Sequence, residues 1–125
     1  MELILAVLSL AAAQYTLGSS ESRRPPGRPR APELFRATAT SLALLWAPPA
    51  EDGGSPVLGY ALHGGEFGSG VLRPLYDPLR AGQPPDPNVR NFTLHGLAPS
   101  SDFTFKVAAT NALGVSEWST DAHFS

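Results

Sequence analysis

Between Leu97 and Ser119 the chain reads LAPSSDFTFKVAATNALGVSEWS, and no other stretch restricts the fold as strongly. From Phe103 onward, apolar or small residues (Phe103, Phe105, Val107, Ala109) alternate with polar ones (Thr104, Lys106, Thr110). Period-two alternation places the two sets on opposite faces of a β-strand, so one face is expected to be buried and the other wet. Asn111 to Gly114 then supplies turn chemistry, because Asn and Gly tolerate positive φ at little cost. Upstream, Leu97-Ala98-Pro99 reads as a corner, with Leu97 entering the core and Pro99 fixing φ.

A half-buried strand needs partners, and 125 residues provide one domain with tails. Hydrophobic residues make up 42% of the chain, enough for a single core. The 12 glycines and 13 prolines favour short strands and many turns over long helices. With no cysteine, the chain has no disulfide framework, thiolate metal site or cysteine nucleophile. That absence leaves the compartment open, since a secreted domain with a large enough core folds without disulfides. A net charge of −2 gives no reason to expect a nucleic-acid partner. Basic charge is concentrated in Arg23, Arg24, Arg28 and Arg30, leaving the remainder mildly acidic.

Leu3 to Ala13 (LILAVLSLAAA) is an apolar run with Ser9 as its one polar residue. It is shorter than the roughly 20 residues a spanning helix requires, so stable membrane insertion is not expected. Its length fits a secretory signal peptide over residues 1–13, with Ala11-Ala12-Ala13 as a cleavage site that leaves Gln14 first. The n-region, Met1-Glu2, carries no cation; the competing reading is a short helical tail of a preceding element. Residues 14–31 show no apolar periodicity and end in a run of Pro and Arg, which predicts a disordered, extended, solvated linker. Within it, Arg23-x-x-Pro26-x-x-Pro29 matches the pattern taken by polyproline-binding domains. Those domains are cytosolic, so this motif and a signal peptide exclude one another as functional features.

Over residues 32–125 the pattern predicts strands at Glu33 to Thr38, Ser41 to Trp46, Val57 to Gly64, Asn91 to Leu94, the central stretch, and Thr120 to Ser125. Pro74 and Pro78 confine any strand within Gly64 to Asn88 to a sheet edge. Trp46, the loop Pro48-Pro49…Asp52-Gly53-Gly54-Ser55-Pro56, Tyr60, Leu97-x-Pro99, Phe103 and Asn111-x-x-Gly114-x-Ser116 together resemble a fibronectin type III domain. The resemblance implies an all-β, immunoglobulin-like fold: a two-sheet antiparallel β-sandwich of about seven strands. Its core is expected to hold Trp46, Tyr60, Leu97, Phe103, Phe105 and Val107. One departure is physical. The family usually has tyrosine where Phe103 stands, and its hydroxyl bonds back to the corner backbone.

Catalysis is not expected. His63, His95 and His123 fall on separate strands, read as ordinary surface side chains, and no acid or hydroxyl is spaced to form a nucleophile–base pair. No metal or cofactor site is legible, and the glycine pairs read as turns. Asn91-Phe92-Thr93 is a glycosylation sequon with Asn91 facing out, relevant if the chain is secreted. Val115 to Ser119 is similar to the second half of the Trp-Ser-x-Trp-Ser motif of cytokine receptor domains. Lys106 is the only cation offered by the facing strand, so a single cation–π contact is expected in place of a ladder. The long Gly64 to Asn88 region departs most from the family, and Arg73 and Tyr76 within it are expected to anchor a protein partner. The resemblance implies a non-catalytic protein–protein interaction module of extracellular adhesion or receptor type. The alternative is a structural spacer of an intracellular or cytoskeletal multidomain protein.

Overall fold

The computed structural model describes residues 23–125. The signal-peptide reading of residues 1–13, and the first part of the expected linker, lie outside the described residues. Eight strands follow in order: β1 (Glu33–Ala37), β2 (Leu42–Leu45), β3 (Gly59–Glu66), β4 (Arg73–Tyr76), β5 (Asn91–Leu94), β6 (Phe103–Asn111), β7 (Gly114–Val115) and β8 (Ala122–Phe124). One antiparallel sheet runs β1-β2-β5; the other runs β4-β3-β6, with β7 and β8 both pairing to β6. This is the expected two-sheet sandwich, because β7 and β8 act as one interrupted strand.

Two serines carry the interruption. Val107 and Ala109 on β6 donate their backbone N–H groups to Ser119 Oγ (3.0 Å) and Ser116 Oγ (2.9 Å). The N–H groups of Ser119 and Ser116 in turn donate to the carbonyls of Val107 and Ala109, each at 2.8 Å. Side-chain hydroxyls thus stand where ladder carbonyls would, so neither of these two amides is orphaned while the chain bulges outward. Two residues, Glu117 and Trp118, lie between the serines, while only Ala108 lies between their partners.

The inward faces of the two sheets close on Leu42, Leu44, Trp46, Tyr60, Leu62, Phe105, Val107 and Ala109, all buried. Phe105 and Val107 have no exposure at all, as the alternation along β6 requires. The opposite face is not wet as expected: Ala108 and Thr110 are buried too, because other segments cover it. Trp46 is the hub: Tyr60 meets it edge-on at 6.2 Å and Tyr76 lies 6.3 Å away. Its indole N–H is buried without a hydrogen-bond partner, so packing alone holds the ring. Leu97 and Phe103 are half-buried and pack against this core from the edge of the sandwich.

The proline-rich segment corrects the expectation of a solvated linker. From Arg23 onward it lies against the sandwich, with Pro26, Pro29 and Pro32 buried. One residue in three is the repeat of a polyproline II helix, so these rings form a single ridge along one side of the segment. Arg24 N–H donates to the Gly53 carbonyl (2.8 Å) and Gly27 N–H to that of Glu51 (2.9 Å). Proline has no N–H to leave unsatisfied and little freedom to lose, so such a chain is buried at low cost. Gly53 is what lets the backbones meet. At φ 79° it adopts a conformation that L side chains avoid, and a Cβ there would lie 2.1 Å from the Arg24 carbonyl oxygen. Because Pro26 and Pro29 face the sandwich, a polyproline-binding domain would have to peel the segment away first.

Candidate protein-binding face

His63 on β3 and Lys106 on β6 are direct cross-strand partners on the outer face of the larger sheet. Trp118, placed between the two anchoring serines, lies over both. Its ring centroid is 4.5 Å from that of His63, and Lys106 Nζ sits 4.5 Å above it. The single cation–π contact expected from the sequence is present.

His63 also meets an acid. Its Nε2 is 2.8 Å from Asp77 Oδ2, and both side chains are about nine-tenths buried. Asp77 opens the loop that follows β4, and its other oxygen accepts a long bond from Arg80 N–H (3.5 Å). The loop then crosses back over the sheet. Pro85 rests on Gly59, where a Cβ would approach it to 2.5 Å. Beneath the loop lies a cavity of about 200 Å³ lined by Ala61, His63, Leu79, Pro85, Val115 and Trp118. Its rim is apolar and open: Leu79 is 47% and Val115 53% exposed. Arg80 stands beside it with its side chain 68% exposed.

This geometry has no nucleophile–base pair aimed at an open space. Among the described residues no group of three His, Asp or Glu side chains could hold a metal ion, and no helix is long and apolar enough to cross a membrane. The site offers an apolar notch with one exposed cation, Arg80, at its edge on a rigid sheet, a setting suited to a protein side chain.

Arg73 and Tyr76 do not come together as a contact surface. Arg73 is exposed on the edge strand β4, opposite Gly64. Tyr76 pairs with Leu62, an inward residue, and its half-buried ring turns to Trp46. Burial, and secondarily the negative charge of Asp86, raises the Tyr76 hydroxyl pKa. Asn91 is exposed on the outer face of the smaller sheet, on the far side of the sandwich from Trp118. His95 and His123 are exposed, whereas His63 is covered. A signal for that cover existed in the sequence: Gly59, Ala61 and Gly65 share the face of His63, and small residues leave room for a loop above them.

Asn111 is the other residue whose role the sequence concealed. It does not adopt positive φ. Its buried amide instead ties three segments together: Nδ2 donates to the carbonyls of Arg24 (2.8 Å) and Asp52 (2.7 Å), and Oδ1 accepts from Leu113 N–H (2.8 Å) and Gly114 N–H (3.2 Å).

Residues 27–125 match the family model of the fibronectin type III domain. Human pikachurin is 29% identical over 105 residues, covering 82% of this chain and 10% of pikachurin. Titin of Drosophila melanogaster is 26% identical over 92 residues, covering 74% of this chain and, to the nearest per cent, 0% of titin. A crystal structure of chicken CNTN1 domains FN1–FN3 superposes with a TM-score of 0.63 at 25% identity, covering 80% of this chain and 32% of that one. The chain thus spans a tenth or less of the curated relatives it matches.

Proposed function

The chain belongs to the fibronectin type III family, and on that premise we propose that it is a non-catalytic protein-binding module of extracellular adhesion or receptor type whose contact face surrounds Trp118. One observation carries the choice of face. Leu79 and Val115 stay about half exposed at the rim of a notch whose walls are fixed by β-ladder and serine hydrogen bonds. Exposed apolar side chains on a rigid frame bind at little entropic cost. Arg80 beside them favours a partner that presents an apolar side chain next to a carboxylate. The extracellular assignment draws on the apolar run ending in Ala11-Ala12-Ala13 and on the exposed sequon at Asn91.

The experiment is to express the chain in human cells, sequence its N-terminus in the medium, and measure binding of tetramers to cell surfaces. Gln14 as the first residue supports secretion; the chain retained in the cytosol with Met1 intact refutes it. Leu79→Asp with Val115→Arg is expected to weaken binding at least about tenfold, equivalent to 1.4 kcal/mol, without changing the melting temperature. Unchanged binding removes this face from consideration.

A second reading, a spacer, is favoured by one fact: the solved neighbour carries consecutive domains FN1–FN3 in one chain, and this chain spans only a small part of its relatives. A spacer would show no cell-surface binding at all.

A further inference from the structure

The outer face of the smaller sheet carries a different feature, unrelated to the Trp118 notch. Strand β2 alternates strictly, sending Leu42 and Leu44 into the core and leaving Ala43 and Leu45 half-buried on the outside. Strand β5 does the same, with Phe92 and Leu94 inward and Asn91 and Thr93 exposed. The register sets Asn91 directly beside Leu45, and Thr93 beside Ala43. On the far side of β2, the β1 pairing slips between Leu34 and Arg36, and Phe35 is the residue left over. A bulge of this kind turns its extra side chain out of the sheet. Phe35 is accordingly 68% exposed, the most exposed large hydrophobic residue among those described. Together these residues line an open groove of about 640 Å³ with Asn91 and Thr93 along one bank and Phe35 along the other.

We infer that this groove is the seat of an N-linked oligosaccharide carried by Asn91, and that its first sugars lie across Leu45 and Ala43 onto the Phe35 ring. The inference rests on the extracellular reading. The Asn-x-Thr triplet is intact and both of its recognised side chains are exposed. In the transfer, the Asn91 amide nitrogen attacks C1 of the reducing-end sugar of a lipid-pyrophosphate-linked oligosaccharide. The N–C1 bond forms, the C1–O bond to phosphate breaks, the amide loses one proton, and the lipid pyrophosphate departs. Transfer precedes folding, so residence in a strand is no obstacle.

The occupant is fixed by attachment, not by affinity. Two strand spacings separate β5 from β1, about 10 Å, which is the reach of two sugar rings from Asn91. Pyranose rings present C–H faces that stack on an aromatic side chain, while their hydroxyls remain in water. That division suits a groove with an apolar floor and Thr38, Arg36 and His95 at its margin. A sugar there would also shield β1 and β5, the two open edges of a three-stranded sheet.

The test uses the 125-residue chain expressed in human cells in two forms, one behind its own N-terminus and one behind an added secretory leader. With the added leader, wild type is expected to lose mass on treatment with peptide-N-glycosidase, while Asn91→Gln and Thr93→Ala show no change. Secreted wild type without the mass change overturns the site. A glycan present with the added leader but absent with the native N-terminus overturns the extracellular reading and leaves the site standing. The seating is tested separately. Glycosylated wild type is expected to melt about 4 °C above Asn91→Gln, a shift readily measured for a domain of this size. Phe35→Ala is expected to abolish that difference, and nuclear Overhauser contacts should join Phe35 ring protons to the first two sugars. A glycan without those contacts, or one whose melting increment survives Phe35→Ala, overturns the seating.

Discussion

Asn111→Ala is the substitution that most sharply tests how this domain is held together. The side chain is 3% exposed and makes four hydrogen bonds, two given and two accepted. At about 0.5–1.5 kcal/mol each, their loss sums to roughly 2–6 kcal/mol. The lower half of that range is expected, because Leu113 and Gly114 lie in a surface turn where water can replace the lost acceptor. A loss of about 3 kcal/mol is a large share of the 5–15 kcal/mol typical of a domain, and corresponds to a melting temperature lower by about 10–20 °C. Urea denaturation at constant m-value is the assay, with hydrogen exchange at Arg24 and Gly27 reporting whether the proline segment has loosened. Asn111→Asp sharpens the test, because it preserves shape and both accepted bonds. It also turns a carboxylate oxygen toward two carbonyl oxygens now 2.7–2.8 Å from the amide nitrogen. It should therefore be no more stable than Asn111→Ala, with the exchange at Arg24 accelerated. A loss below about 1 kcal/mol for Asn111→Ala, or an Asn111→Asp variant as stable as wild type, would refute the hub.

Trp46→Ala should cost about 3–5 kcal/mol by equilibrium denaturation, since it empties the centre of the core between Tyr60 and Tyr76. Phe103→Tyr should raise the denaturation midpoint by about 0.5–1.5 kcal/mol of stability if the new hydroxyl reaches the corner backbone near Leu97 to Pro99. A loss there would mean that the corner, where Ser100 holds φ at 65°, is built differently from the family's. Stability should decline on the alkaline side. Burial raises the pKa of both Tyr60 and Tyr76 above 10.0, opposed at Tyr60 by the nearby charge of Arg90 and reinforced at Tyr76 by Asp86. Above pH 10 the unfolded chain therefore releases protons that the folded one retains, and stability falls as pH rises. Tyr60→Phe should flatten that slope in a melting-temperature series from pH 8 to 11, and an unchanged slope would exclude Tyr60 as its source.

Local pattern carried the fold. The alternation of β6, the inward Trp46 and Tyr60, the proline limits on β4 and the turns are each decided within a few residues, because a strand's two faces and a turn's φ values are local properties. The cation–π contact between Lys106 and Trp118 was legible for the same reason, given the neighbouring strands. Other features had no local trace. Arg24 and Asn111 lie 87 residues apart, and nothing in the composition of a Pro/Arg run distinguishes a docked ridge from a solvated linker. Tyr76 looked like an exposed loop aromatic until the register with Leu62 turned it to Trp46, since a single bulge decides which face a residue joins. His63 gained its cover from a loop that returns over the sheet, and the groove beside Asn91 exists because β1 slips by one residue at Phe35. What the chain's own neighbours dictate was readable in order; what distant segments do to one another was settled only when the two sheets closed.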